Sequence, residues 1–378
     1  MYIYIWLFAL ISFNGVLLRK NKKLFIKISF FLLFCVAGIR KYTVGIDLAG
    51  HYARNYEVIS TIPWKELPNI IGEQFVYYDV GWIVFMRVLG IVSSNVQWFI
   101  MATSAFVCYA MARYLLHHSD DVYLETFLYL MTFTYFMYMN IIAQSIAIAI
   151  VLLSIDYLES KKYLLYILLI LLASSIHGSA IICLVCIPLF QLKRTRKNIR
   201  RFVLISVVGI LGFDSLLPIV VQKFFSQFSY YLQTDYTGKI DFVRLMHLVV
   251  YILCFVLGCL TRWYFKSRYL DDPRNAKIDK DWLKERKSLP FNFLFYITIL
   301  AVVMRALVYK LYIFSRMGYY FYPFACSFLV QSIYGIRSTR LRRQIKYMVC
   351  GGMILFFVIL INSLKTAYGV LPYAFFWE

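Results

Sequence analysis

Acidic residues are scarce: the 378-residue chain holds 19 Asp and Glu against 40 Lys and Arg, and charged residues make up only 16% of it. With 62% hydrophobic and 19% aromatic residues and a mean hydropathy of +0.69, this composition excludes a soluble domain. Nucleotide loops are missing as well. There is no GxxxxGK[ST] phosphate cradle and no GxSxG elbow, so nothing supports ATP hydrolysis. Histidines number five (His51, His117, His118, His177, His247) and none has clustered Cys or carboxylate spacing, so neither a metal nor another cofactor is expected. HHSDD (117–121) is assigned to a cytoplasmic turn. All eight cysteines lie in apolar runs, and the CxxC of Cys183 and Cys186, inside ICLVCIP, is read as a small-residue packing face. No small-residue cleavage site follows the first apolar run, MYIYIWLFALISFNGVLLRKNKK, whose cations come after it. It is therefore read as a first helix with its N-terminus outside.

What is abundant is apolar runs long enough to cross a hydrocarbon core of about 30 Å as helices. The predicted fold is an all-α polytopic integral membrane protein forming a single multi-pass domain over residues 1–378. Helices are placed at 2–18, 24–39, 97–116, 122–139, 140–158, 163–176, 178–190, 202–222, 243–264, 291–313, 317–336 and 347–362, about twelve crossings in all. The net charge of +21 does not point to nucleic acid, because no soluble surface carries a basic patch. It follows instead from the positive-inside rule, since RKNKK (19–23), KRTRKNIRR (193–201), residues 262–287 and RSTRLRRQIK (337–346) hold 24 of the 40 cations. These become cytoplasmic, including the loop 266–290. Keeping Lys161 and Lys162 cytoplasmic too makes 79–95 an interfacial or re-entrant helix and divides 163–190 into two half-length helices at His177-Gly178. A rival assignment with the same number of crossings puts Lys161 and Lys162 outside. Both termini then face outward, as does a large loop after the second helix, 40–95, with five cations and five acids.

Several constellations could carry chemistry on the outer side. In IRKYTVGIDLAGHYARNY (39–56), Gly45 permits a tight turn, and Asp47 lies near Arg40, His51 and Tyr52. Such a group suits a general base or a sugar-hydroxyl site, and the plain alternative is an Asp that caps a surface helix. In YYDVGW, Tyr77 and Tyr78 beside Asp79 suit carbohydrate, and an aromatic belt with a helix cap is the plain alternative. MNIIAQSIAIAI places Asn140 and Gln144 one turn apart, a spacing also typical of helix packing. His177 in SSIHGSA sits at the predicted break. RALVYKLYIFSR (305–316) carries Arg305, Lys310 and Arg316 with no acid. Snorkelling to headgroups accounts for Lys310 and Arg316, whereas Arg305 lies deeper and calls for an anionic ligand.

Taken in order, these pieces resemble the EpsG family of multi-pass membrane proteins, assigned to exopolysaccharide, capsule or O-antigen biosynthesis as Wzy-like polymerases. The matching pieces are Arg40 with GID and His51-Tyr52, then YYDVGW, NIIAQSIA, SIHGSAII and SRMGYYFYP, an order that covers nearly the whole chain. Three positions depart from the pattern. His51 stands where a Tyr is usual, Asp79 replaces a Glu, and Ala143 stands where an Arg is usual between Asn and Gln, a cation whose place Arg305 or Arg87 could take. The resemblance implies a GT-C-like bundle joining undecaprenyl-pyrophosphate-linked oligosaccharides at the outer face of a bacterial plasma membrane, without a metal. Its partners would be the lipid-linked oligosaccharide and membrane lipids, with flippase and chain-length regulator proteins as candidates and no nucleic acid. Asp47 is then the first choice of base and Asp79 the second, with His177 beside them. Arg40, His51, Tyr52, Tyr78, Arg87, Asn140 and Gln144 contact substrate, while Arg305 and Arg316, with Tyr319 and Tyr320, hold pyrophosphate. The competing class is a flippase for the same units, which should show internal repeats and charge reaching both faces; neither is evident. A membrane acyltransferase lacks a clear His-centred motif.

Overall fold

A computed structural model describes residues 2–69, 78–213, 215, 242–269, 288–311, 313–336, 338–363 and 367–378. Among them the regular structure is helical, with no strand beyond a single bridge between Arg40 and Phe375. The chain falls into two compact units, Met1–Leu184 with Met353–Glu378, and Val185–Gly352.

The first unit begins with α1 (Tyr2–Leu17) and α2 (Lys22–Gly38). Asn21 sets the start of α2, its side chain accepting the Leu24 N–H at 3.1 Å. A π-helical turn, Leu48–Tyr52, runs into α3 (Ala53–Ile59), and α4 (Val80–Leu89) follows. Ten residues rise only about 15 Å, half a hydrocarbon core, so α4 is too short to cross as a straight helix. Next come α5 (Val96–His118), α6 (Val122–Met131), α7 (Thr134–Asn140), α8 (Ile142–Glu159) and α9 (Tyr163–Ile176), then a 3₁₀ segment, Gly178–Val185. The α2, α5, α8 and α9 helices pack in that succession, and α9 also meets α4. Tyrosine hydroxyls tie the pieces together. Tyr4 donates to the Val370 carbonyl (3.0 Å), Tyr135 to Leu33 (2.7 Å), Tyr166 to Cys183 (2.7 Å) and Tyr373 to Val36 (2.8 Å). Each satisfies a carbonyl while its ring fills apolar space.

The predicted helix 122–139 is in fact two. Phe133 takes a left-handed conformation (φ +66°), and the Thr132 hydroxyl donates back to the Leu128 carbonyl at 2.7 Å, so the helical ladder stops there. The helix predicted at 140–158 starts at Ile142, with Ile141 (φ −86°, ψ 60°) interrupting the chain after Asn140. The division of 163–190 at His177 is present. His177 is extended (φ −149°, ψ 107°), and the second piece is a 3₁₀ segment continued by a short helix.

In the second unit, α10 (Cys186–Gln191), α11 (Arg196–Leu211), α12 (Phe242–Tyr269), α13 (Phe291–Leu307), α14 (Ile313–Gly318) and α15 (Tyr322–Tyr334) precede α16 (Thr339–Ser363), whose last turns belong to the first unit. The α12, α13 and α15 helices pack on one another. The run predicted at 291–313 ends as a helix at Leu307, and much of the predicted 202–222 segment lies outside the described residues.

Four described helices are long and apolar enough to cross a membrane: Val96–His118, Ile142–Glu159, Arg244–Thr261 within α12, and Thr339–Ser363. The other described apolar helices are shorter, so the expected twelve crossings are not met by full-length helices among the described residues. Apolar side chains also face outward in quantity. α11 buries no residue, and Ile205 and Leu211 are 71% and 76% exposed, as are helices surrounded by lipid.

Candidate functional site

The segment after α2 is held from two sides. On one side the C-terminal tail pairs with it: the Lys41 N–H donates to Ala374 O (2.9 Å), Phe376 N–H to Ile39 O (3.0 Å) and Gly45 N–H to Gly369 O (2.8 Å). On the other side the Asp47 N–H donates to Asn140 Oδ1 at 3.0 Å, using the side chain that ends α7. Gly45 sits at φ +116° and Gly369 at φ +76°, conformations that glycine adopts without strain. The chain thus presents Asp47, partly exposed, at the entry to the π-helical turn. Its carboxylate makes no capping hydrogen bond to that turn, which removes the plain capping role as the account of this residue.

Around Asp47 lies an aromatic group. Tyr52 stacks on Tyr78 (centroids 6.5 Å, 28° between planes) and meets Trp82 edge-on at 5.4 Å. The Tyr78 hydroxyl accepts from Asn55 Nδ2 at 2.5 Å. Burial pushes the Tyr78 pKa up, the Asn55 hydrogen bond opposes this, and the nearby charge of Asp47 adds to the rise. Asp79 follows directly. Its backbone is extended (φ −65°, ψ 140°), and Oδ2 accepts the Gly178 N–H at 2.9 Å instead of capping α4. Desolvation of this carboxyl raises its pKa above the ordinary value, against the opposing effect of the Gly178 N–H. Next to Gly178, His177 places Nδ1 3.0 Å from Ser179 Oγ. Residues 79 and 178, far apart in sequence, are thus joined by a hydrogen bond, and Asp47 lies in the same unit, near enough for its charge to act on Tyr78. His51 is exposed on the turn beside them.

Other predicted site residues lie elsewhere. Arg40, expected to orient substrate, is only 1% exposed and faces inward. Its guanidinium donates to Ala37 O, to Ser104 Oγ (3.3 Å) and to Met139 O (2.9 Å). Two of these are carbonyls in the last turns of α2 and α7, the negative ends of helices, so the cation clamps two helix termini. Arg87, a candidate replacement for the missing Arg at Ala143, donates Nε to Ile62 O (2.6 Å) and lies 5.0 Å over the Trp64 ring. Asn140 and Gln144 do not share one continuous helix face, because the chain breaks at Ile141, and Gln144 is buried in α8.

In the second unit, Arg305 ends α13, is 4% exposed, and has Nη1 3.5 Å from the Tyr322 hydroxyl. Tyr322 stacks on Tyr251 (4.3 Å, 25°) and meets Tyr319 edge-on at 5.3 Å. Tyr320 is fully buried, Arg316 is half-buried on α14, and Lys310 is exposed. Among the described residues no three of His, Cys, Asp and Glu form a group that could hold a metal ion.

Two features had not been anticipated. The tail is part of the scaffold behind Asp47, and its only signals in the sequence are Gly369 and the aromatic run YAFFW. HHSDD belongs to an ionic cluster, in which Asp156 accepts from Arg113 Nη2 (2.8 Å) and lies 2.9 Å from Nε2 of the buried His118.

A family model described as the EpsG family matches residues 23–375. The chain belongs to the EpsG family. No curated protein and no solved structure matches it. EpsG membership and the apolar helices together make this a membrane protein, helical throughout its described regular structure. Ala143, where the resemblance led to the expectation of an Arg, falls in the first turn of α8 with its side chain buried.

Proposed function

We propose that this EpsG protein is a polysaccharide polymerase that joins lipid-pyrophosphate-linked oligosaccharide repeat units at the outer face of a bacterial plasma membrane. The observation that carries the reading is the presence of Asp47, Tyr78, Asp79 and His177 in one unit with the Tyr52 ring. Carboxylates beside aromatic faces suit a sugar, since the rings pack on C–H surfaces and the acids accept from hydroxyls. In the reaction the acceptor hydroxyl oxygen bonds to the anomeric carbon of the donor, and its proton passes to a carboxylate. The bond from that carbon to the pyrophosphate oxygen breaks, and the electron pair leaves with the lipid pyrophosphate. Asp47 is the proposed base, with Asp79, a carboxyl whose pKa is raised by desolvation, second. Arg305 and Arg316, with Tyr319 and Tyr320, are the proposed pyrophosphate contacts, because guanidinium pairs bidentately with phosphate and offsets the charge of the leaving group. A GT-C-like bundle, with additional spans built from paired short helices, is the architecture that fits this role. Flippase and chain-length regulator proteins are its proposed partners.

A deletion strain complemented with wild type, Asp47→Ala or Arg305→Ala tests the proposal through surface glycan length and the location of lipid-linked units. Single repeat units gathering on the outer face support a polymerase. Units trapped on the cytoplasmic face make the protein a flippase, and normal chain length in both variants removes these residues from the site.

A further inference from the structure

Arg40 is the most deeply buried cation described in the first unit, and no carboxylate pairs with it among the described residues. Its two terminal nitrogens are used on Ala37 O, Ser104 Oγ and Met139 O, but Nε is buried and has no hydrogen-bond partner among the described residues. The same is true of the Tyr129 hydroxyl. Both residues line a cavity of about 20 Å³, together with Ser104, Cys108, Tyr135 and Ser145. Buried N–H and O–H groups are rarely left without partners, so two at one cavity point to something they hold.

The lining selects what that is. Tyr135 already donates to Leu33 O, and Ser145 to the carbonyls of Tyr138 and Ile141. Thr103 donates to the carbonyls of Phe99 and Ile100, so the lining groups without a hydrogen-bond partner among the described residues are Arg40 Nε and Tyr129 Oη, and Ser104 Oγ, which accepts from Arg40, has its own proton to donate. These are donors around a formal positive charge out of water, an environment that is costly unless an opposite charge is near. The volume holds about one water-sized body, too little for phosphate or pyrophosphate.

We propose that this cavity binds one small monovalent anion of chloride size, held by Arg40 Nε, Tyr129 Oη and Ser104 Oγ. The site is independent of the polymerase reading. Arg40 joins the ends of α2 and α7, from which the Asp47 segment and Asn140 extend, so the anion stiffens the support of that segment.

The test is thermal unfolding of the purified full-length protein in detergent at constant ionic strength, in sodium chloride, bromide, sulfate or gluconate. Chloride and bromide should raise Tm saturably by roughly 3–8 °C over gluconate, and sulfate should not. Tyr129→Phe removes a hydroxyl that no described protein group uses; it should keep the gluconate Tm and lose at least half of the chloride increment. Arg40→Gln removes a helix clamp as well, so Tyr129→Phe is the deciding variant. Crystals soaked in bromide should show anomalous density within hydrogen-bond reach of Arg40 Nε. Equal Tm in all four salts, an increment that sulfate reproduces, or one that Tyr129→Phe retains would each overturn the proposal, as would an ordered water in place of bromide.

Discussion

Replacing Gly369 with valine should pull the C-terminal tail away from the Asp47 segment. At φ +76° an L-residue pays about 1–2 kcal/mol for its backbone alone. A Cβ there would also come within 2.8 Å of the Ile46 nitrogen and 2.9 Å of Ile46 Cγ1, so backbone must move. Overpacking of that kind costs roughly 1–3 kcal/mol, and losing the Gly45 N–H to Gly369 O bond adds about 1 kcal/mol. The sum, about 3–6 kcal/mol, corresponds to a fall in Tm on the order of 6–24 °C for a unit of this size. Gly351→Ala is the control, since that helical glycine has nothing within 4 Å of an added Cβ and should gain up to about 1 kcal/mol. Scanning fluorimetry in detergent measures both, and limited proteolysis reports whether the tail is released. A Gly369→Val protein with wild-type Tm and a protected tail would refute the packing argument.

Asn140→Ala removes the acceptor for the part-buried Asp47 N–H and should cost about 1 kcal/mol, read as a lower Tm together with shorter surface glycan. Asp79→Asn keeps an oxygen for the Gly178 N–H but removes the titration. Because the wild-type carboxyl has a raised folded-state pKa, its contribution is present below the unfolded pKa and is lost as pH rises through the folded one. The Tm of the variant should therefore gain on wild type as pH increases through that window, and parallel Tm-against-pH curves would contradict the assignment. Arg113→Ala breaks a half-exposed ion pair with Asp156 and should change stability by no more than about 1 kcal/mol; a fall as large as that of Gly369→Val would show the cluster to be structural.

The helix content and the break at His177 were legible because apolar length and charge distribution report on the chain locally. So was the turn at Gly45, where glycine marks the backbone that needs it. The interruption at Phe133 was not, because Thr132-Phe133-Thr134 carries neither glycine nor proline, and the left-handed residue is a buried phenylalanine stacked on Phe136. Asn140 was found as a candidate, but its role as a helix end presenting an acceptor to Asp47 depends on the break at Ile141. Arg40 was expected beside substrate because it stands seven residues before Asp47 in the same segment; its interior direction follows from two helix termini that meet only in the fold. The tail was illegible for a related reason, since its partners lie more than 300 residues away in sequence.

The most direct measurement is reconstitution of the purified protein in liposomes with a lipid-pyrophosphate-linked repeat unit of matching chemistry, followed by gel analysis of product length and of released lipid pyrophosphate. The account predicts a ladder of extended chains with wild type, and none with an Asp47→Asn protein that retains its Tm. Transfer of units across the bilayer without elongation, or an unchanged ladder from Asp47→Asn, would contradict it.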